Sequence, residues 1–331
     1  MDNYIGEKMH NDGITKIEAL QYAQLEDSYQ VICKKYSLLK QEFINTLWNK
    51  AIYNDKSLSS IPKKITADFS KYQISYTLGK GAFATVYAVS FENKMYAAKE
   101  INKSNIKKYK QLERLSKEIE ILTSINHENV IKISKVINTS DALYIIFNTV
   151  SQDLFEVMMR KRLNNNHIKQ LYIQLSAAII HLHENSIIHR DIKPENILFI
   201  EETDDKVNIK LIDFGLAEKT RSEQNDVIIF KDFCGSPGFF APDLLIESGY
   251  TVKVDIWSSG CTLLETIIGS NEFNKKWLPN YAPGIIKDAN IFKEKISKII
   301  SEFLNITLKK SPFITRLKNM FSINPEERCF K

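Results

Sequence analysis

Asp191 and Asn196 stand close together in His189-Arg190-Asp191-Ile192-Lys193-Pro194-Glu195-Asn196, and Asp213 follows in Asp213-Phe214-Gly215. Between them run an apolar stretch from Ile197 to Ile200, a polar tip from Glu201 to Lys206, and alternating Val207, Ile209 and Leu211. That pattern predicts a tight β-hairpin. A hairpin returns its ends to one place, so Asp191 and Asn196 entering it should lie beside Asp213 leaving it. Two carboxylates and an amide gathered there suit Mg²⁺, a hard ion that takes oxygen ligands and commonly bridges protein to phosphate.

A second chemical stretch is Gly79-Lys80-Gly81-Ala82-Phe83-Ala84-Thr85-Val86, which follows the alternating Tyr72, Ile74, Tyr76 and Leu78 of an expected strand. Glycines let backbone N–H groups approach phosphate oxygens closely. Another strand through Val89 follows, then a turn at Glu92-Asn93-Lys94 and a third strand from Met95 to Ile101. A strand after the glycines argues against a dinucleotide fold and for a β-hairpin flap over phosphates. Lys99, in Ala97-Ala98-Lys99, falls on that third strand, where it is either a solvated edge residue or a paired cation. The next segment, Tyr109 to Ser124, has helical periodicity: Leu115, Glu118 and Leu122 share one face. A carboxylate on an apolar face is costly unless paired, and Lys99 is the expected cation. Glu113 and Glu120 should point outward.

Taken together these stretches resemble the eukaryotic-type protein kinases of the serine/threonine class. The resemblance covers Tyr72 to Lys331 and implies an α+β, two-lobed protein kinase fold. Its small lobe is an antiparallel β-sheet with one helix, and its larger lobe is mainly helical. The implied cofactors are ATP and Mg²⁺, the implied reaction is transfer of the γ-phosphoryl group to a protein serine or threonine, and the implied metal ligands are Asn196 and Asp213. Asp191 would orient or accept the hydroxyl proton, Lys193 would neutralise the γ-phosphate, and Lys99 paired with Glu118 would hold the α- and β-phosphates. Asp-x-Lys-Pro-Glu-Asn is the serine/threonine form of the catalytic loop. The nucleotide would be lined by Leu78, Gly79, Lys80, Gly81, Ala82, Phe83, Ala84, Val86, Ala97, Lys99, Phe147, Asn148, Val150, Asp153, Leu198 and Asp213. Ala84 stands where many members have a third glycine. Asn148 to Leu154 resembles the hinge between lobes, in a form similar to cyclin-dependent kinases, with Phe147 as a bulky gatekeeper and Val150 offering backbone groups to adenine.

The resemblance extends to Cys234-Gly235-Ser236-Pro237-Gly238-Phe239-Phe240-Ala241-Pro242-Asp243, similar to the family's substrate-docking end. Ser236 replaces the usual Thr and is expected to hydrogen-bond Asp191 and Lys193. Asp243 replaces the usual Glu, with Arg328 as its expected partner. Asp232 stands where many kinases carry a phosphorylated threonine that bridges to the arginine beside the catalytic Asp, here Arg190. Asp232 is therefore either a built-in negative charge or an ordinary solvated loop acid; in the second case Thr220 and Ser222 are the suspected phosphorylation sites. Asp255-Ile256-Trp257-Ser258-Ser259-Gly260 resembles the helix that anchors the catalytic loop from beneath. Ser270 to Ile314 departs from the family pattern, and the chain stops at Lys331 where the family normally continues with another helix, so an abbreviated fold or a truncated product is expected.

The rest of the chain sets bounds. Its 331 residues suit one large domain or two lobes plus an extension. Residues 14–53 lack Pro and Gly, and Tyr22, Leu25, Tyr29, Ile32, Tyr36, Leu39 and Phe43 form a heptad-like stripe. The expected organisation is an N-terminal amphipathic helical extension at 1–55, a Ser- and Pro-containing linker at 56–71, and a kinase domain at 72–331. Within that domain the small lobe spans 72–147, the hinge 148–153 and the large lobe 154–331. The extension either packs on the domain or serves a regulatory partner or self-association through 14–53. A net charge of +5 with only short basic runs argues against nucleic acid and membrane surfaces. Cys33, Cys234, Cys261 and Cys329 form no C-x-x-C pair, and no signal-peptide core or membrane-length apolar run is present. A soluble protein of a reducing compartment, cytoplasmic or nuclear, is expected. The rival to a working kinase is a pseudokinase scaffold signalling through its N-terminal helix, which ordinarily lacks a Lys, Asp or Asn that this chain has.

Overall fold

The computed structural model describes residues 58–331 except 67, 82–83, 107, 204–205, 222–227 and 247. The stripe at 14–53, Ala82 and Phe83 of the glycine-rich loop, and Ser222 lie outside the described residues. Strands β1 (Gln73–Lys80), β2 (Thr85–Phe91), β3 (Lys94–Asn102), β4 (Ile133–Asn138) and β5 (Ala142–Phe147) form one antiparallel sheet in the order β1-β2-β3-β5-β4. Its one long helix, α1 (Tyr109–Ser124), has the bounds its periodicity predicts. Among the buried residues, Leu112, Leu115 and Ile119 of α1 cluster with Leu143 and Ile145 of β5. The alternation in β1 marks a strand but not a buried face: Ile74 and Tyr76 are each 55% exposed. β1 is an edge strand with two register irregularities, and of its apolar residues only Leu78 turns partly inward.

The second lobe is mainly helical: α2 (Leu154–Arg160), α3 (Asn165–Glu184), α4 (Lys253–Ile268), α5 (Ala289–Glu302) and α6 (Ile314–Met320). Short strands β6 (Ile187–Ile188) and β9 (Glu218–Lys219) pair, as do β7 (Ile197–Thr203) and β8 (Lys206–Leu211), the expected hairpin. Helix α4 is buried on all sides, and Trp257 from it packs with Trp277 and Phe321. The stretch from Ser270 onward, unassigned by pattern, is helical with wide π turns at Phe273–Trp277 and Phe303–Thr307. No described helix is long and apolar enough to cross a membrane.

Residues 58–66 are packed rather than loose. Leu58 and Ile61 are 0% and 1% exposed, and Ile65 makes a parallel bridge to Asn138. The Ser- and Pro-rich composition points to a spacer, but the two apolar side chains find a groove beside α1.

Candidate active site

The catalytic loop is suspended from α4. The Asp255 carboxylate, 0% exposed, accepts the backbone N–H of His189 and of Arg190, both at 2.9 Å. The same carboxylate meets His183 Nε2 from α3 at 2.9 Å. Burial works against ionisation of Asp255, but the His183 hydrogen bond, the two neighbouring imidazoles and the His189 N–H hold its pKa below the ordinary value. These bonds fix Arg190 at φ 69°, a left-handed conformation that a non-glycine residue adopts only when its surroundings enforce it. His189 accepts the Asp191 N–H at Nδ1 (3.3 Å), so its Nε2–H donates to Ile212 O at 3.1 Å. Its ring stands edge-on to buried Phe214, 4.8 Å between centroids. One imidazole thus joins the catalytic loop to the Asp213-Phe214-Gly215 turn.

The hairpin closes its two ends as the spacing requires. Ile197 pairs with Leu211, and Ile212 N–H donates to Asn196 O at 2.9 Å. Asn196 Nδ2 donates to Asp191 O at 2.8 Å and to Asp191 Oδ2 at 3.0 Å, so its amide oxygen is the atom left for a cation. Lys193 Nζ lies 3.0 Å from Asp191 Oδ2 and donates to Ser236 Oγ at 2.7 Å. Ser236 Oγ donates to Asp191 Oδ1 at 2.8 Å. Asp191, Lys193 and Ser236 form one hydrogen-bonded ring, to which Asn196 is tied through Asp191.

On the small-lobe side, Lys99 Nζ sits 2.5 Å from Glu118 Oε1 and 3.8 Å from Asp213 Oδ1. Burial would lower the Lys99 pKa, yet Glu118 and Asp213 keep it above the ordinary value. At Asp213 burial pushes upward, but Lys99, followed by His189, the Gly215 N–H and Lys193, holds the carboxyl below its usual range. Lys99 therefore stays an ammonium and Asp213 a carboxylate at neutral pH. Glu113 is half-buried, whereas exposed Glu120 pairs with Lys219 at 2.6 Å.

Of the remaining nucleotide-lining candidates, the described ones fall on β1, β2 and the tip between them, on β3, β5 and β7, and on the segment after β5. Gly79 and Lys80 pair with Val86 and Thr85, and Gly81 N–H donates to Ala84 O at 2.8 Å, which makes the flap a hairpin tip. Val86 is opposite Lys99 and Ala97 opposite Phe147 across the sheet. Asn148 is exposed and Val150 half-buried. Ser151 Oγ donates to Phe199 O at 2.8 Å and Phe199 N–H donates to Gln152 O at 2.9 Å, so the expected hinge is docked on β7, with Asp153 bridged to Leu198. Asp153 caps α2, accepting the Glu156 N–H at 2.8 Å, a role its place in the hinge motif does not announce.

The segment after Gly215 crosses back over the catalytic loop. Gly235 has φ 97°, and a Cβ there would lie 2.9 Å from Arg190 O, so only glycine fits the crossing. Arg190 NH1 donates to both Asp232 oxygens, at 3.0 and 2.9 Å, and Arg190 Nε donates to Leu216 O at 2.7 Å. Tyr250 OH donates to Asp232 O at 3.0 Å; no spacing rule singles out this tyrosine, which is brought to the site by its antiparallel bridge to Phe230. Thr220 is buried, its N–H bonded to Ser186 O at 2.8 Å. Asp243 forms a buried pair with Arg328, whose guanidinium lies 5.0 Å over Trp257 and donates to Ser322 O at 2.7 Å.

A cation with one carboxylate and one amide as protein ligands must complete its shell elsewhere. Among the described residues no group of three or more His, Cys, Asp and Glu could hold a metal. Asn196 and Asp213 are hard oxygen donors, which fits Mg²⁺ arriving with a triphosphate rather than a resident transition metal.

A sequence model described as protein kinase domain matches residues 72–330. The chain belongs to the protein kinase family. Among its relatives are the SNF1-related protein kinase catalytic subunit alpha KIN12 of Arabidopsis thaliana, 33% identical over 231 residues, covering 68% of this chain and 45% of that protein. The serine/threonine-protein kinase cds1 of Schizosaccharomyces pombe is 33% identical over 286 residues, covering 82% of this chain and 59% of that protein. A probable serine/threonine-protein kinase PLK of Dictyostelium discoideum is 36% identical over 208 residues, 61% of this chain and 20% of that protein. The kinase chain thus spans about half the length of the first two relatives and a smaller share of the third.

Proposed function

We propose that this kinase transfers the γ-phosphoryl group of ATP to serine or threonine hydroxyls of protein substrates. The observation that supports it most directly is the Asp191–Lys193–Ser236 ring, joined through Asn196 and the Ile212 N–H to the turn whose Asp213 pairs with Lys99. In this reading Asp191 aligns the incoming hydroxyl and receives its proton as the new O–P bond forms. A free Asp has a pKa near ~3.9 and is a weak base. In a loose phosphoryl-transfer transition state, however, proton removal is late and positioning matters more than basicity. Lys193, within reach of Asp191, offsets charge on the γ-phosphate, and Lys99, oriented by Glu118, does so on the α- and β-phosphates. Bound between Asn196 and Asp213, Mg²⁺ would neutralise charge on the triphosphate. Ser236 holds Asp191 and Lys193 in register, and its hydroxyl can do what the family's threonine does.

Asn196 and Asp213 as metal ligands, the lining residues named above, and a cytoplasmic or nuclear location belong to the same proposal. The free thiols among the described cysteines, Cys234, Cys261 and Cys329, are consistent with a reducing compartment. Every position whose loss would mark a scaffold is filled, which favours a working enzyme. Asp232 fits the same reading as the fixed charge that keeps Arg190 and the segment after Gly215 in place.

The test is transfer from Mg·ATP to a generic acceptor protein. Asp213→Ala should lower it by about 10²–10³-fold or more with the unfolding midpoint retained. Undiminished transfer by that variant would sink the assignment. A peptide array on the same protein then reads the preferred substrate sequence.

A further inference from the structure

The matched kinase domain begins at residue 72, yet the segment ahead of it is built into the small lobe. Leu58 and Ile61 bury themselves in the cluster formed by Leu112, Leu115 and Ile119 of α1 with Ile145 of β5. Between them, Ser60 Oγ donates to Ser116 O at 2.7 Å and lies 2.6 Å from Ser116 Oγ. Further along, Asn138 Nδ2 donates to Pro62 O at 2.8 Å and Thr66 N–H donates to Asn138 O at 2.8 Å. One short piece of chain is therefore fastened to α1 on one side and to the end of β4 on the other. The helix it grips carries Glu118, two residues beyond Ser116. Leu115 and Ile119, on the gripped face, flank that carboxylate in sequence.

We propose that residues 58–66 are a strap that positions α1, and that Leu58, Ser60 and Ile61 are positioning residues for Lys99 acting through Glu118. The proposal rests on the phosphoryl-transfer reading above. The physical reason is leverage. The Lys99–Glu118 contact exists only while α1 stays close to β3, and a misplacement of about 1 Å far from the chemistry can cost on the order of 10²-fold in rate. The strap supplies two of the eight fully packed apolar side chains in the cluster that holds α1 against the sheet. Its Ser60 bond fixes the helix along its axis as well as toward the sheet. Without the strap, α1 keeps its helical bonds but loses two of the buried side chains that it shares with the sheet.

The experiment is a double-mutant cycle on the full chain, with Ser60→Glu crossed against Glu118→Gln. A carboxylate placed there loses the bond to Ser116 O, meets that carbonyl lone pair against lone pair, and brings a longer, charged side chain beside buried Ser116, so it should leave and take the strap with it. Ser60→Glu should lower kcat about tenfold or more with KM for ATP changed by less than about threefold. Ser60→Thr should restore the rate, and Lys64→Ala, an exposed strap position, should match the parent. In the Glu118→Gln background, Ser60→Glu should have no further effect, because the strap acts through that carboxylate. If Ser60→Glu does not fold, Ile61→Ala takes its place in the cycle, assayed well below its own unfolding midpoint. A lowered midpoint with unchanged kcat, or losses that multiply across the cycle, overturns the strap. Failure of the phosphoryl-transfer reading looks different: the parent chain itself would then be inactive.

Discussion

In the proposed reading the catalytic loop and helix α1 serve one triphosphate, yet they are held by unlike means. The loop is held by main-chain bonds to Asp255, on a helix buried on all sides. That helix and loop belong to a cluster of fifty buried apolar residues, to which α1 gives Ile121 and Leu122, whereas its Leu112, Leu115 and Ile119 lie in a cluster of eight among the described residues. The contribution of α1 is one side-chain ion pair at the end of a lysine stem. Main-chain bonds to a buried acid leave a loop one geometry, whereas a small cluster, one part-buried ion pair and the more exposed pairs of Lys117 with Glu218 and Glu120 with Lys219 leave a helix room to rock. The fixed half should therefore lose stability and activity together when its anchor is cut. The adjustable half should lose activity first.

Asp255→Ala probes the first half and carries the largest expected effect. It strips the acceptor from two buried N–H groups and from His183, and removing one member of a buried charged network costs roughly 3–5 kcal/mol. Thermal or denaturant unfolding should show that loss, with phosphoryl transfer falling in parallel. The acid limb tests the same residue. Its folded pKa is held below the ordinary 3.8, so its stabilisation is fully present above that value and is lost as pH falls through the lower folded pKa. The Asp255→Ala protein should therefore lose less stability than the parent at the acid extreme. An equal acid limb in both would mean that Asp255 is not the anchor.

Lys99→Met probes the adjustable half. Activity should fall by about 10²–10³-fold while the fold is kept, although Glu118, only 6% exposed at its side chain, is left without its cation. Adding Glu118→Gln should recover most of any lost midpoint and none of the lost activity. If the pair mattered to folding as Asp255 does, the single variant would not survive to be assayed.

The same contrast governs what could be read from the residues in order. The hairpin, α1 and the Asp243–Arg328 pair were legible because each rests on a short-range pattern or a motif with fixed spacing. Gathering Asp191, Asn196 and Asp213 needed only that a hairpin closes. Other features depend on long-range encounters. Trp277 Nε1–H donates to Gly238 O at 2.8 Å, and the π turn carrying that tryptophan breaks the 3.6-residue period by which a helix is recognised. Tyr250 reaches Asp232 through its bridge to Phe230. In β1 the alternation was visible, but an edge strand exposes both faces. The strap was hidden by its composition: Leu58 and Ile61 stand among serines, lysines and a proline, and two apolar residues make no period.

Asp232 offers the smallest effect and the finest discrimination, because it belongs to neither half. It is an exposed acid held by a buried arginine: Arg190 is 7% exposed at its side chain and Asp232 55%. Exposure argues for a weak bond, since surface pairs contribute about 0–1 kcal/mol. Bidentate geometry on one guanidinium nitrogen, with Tyr250 holding the same residue's carbonyl, argues for a stronger one. A phosphate would bring a charge of about −1.5 to −2 and more acceptors, so Asp232 is a partial equivalent. Asp232→Asn removes the charge and keeps the shape, and should lower kcat about tenfold or less with the unfolding midpoint nearly unchanged. Phosphatase treatment of the parent should leave its activity intact, because the charge is in the sequence. If treated parent protein is inactive and a kinase added in trans restores it, the charge on Arg190 comes from elsewhere, and the segment after Gly215 is adjustable in the same sense as α1.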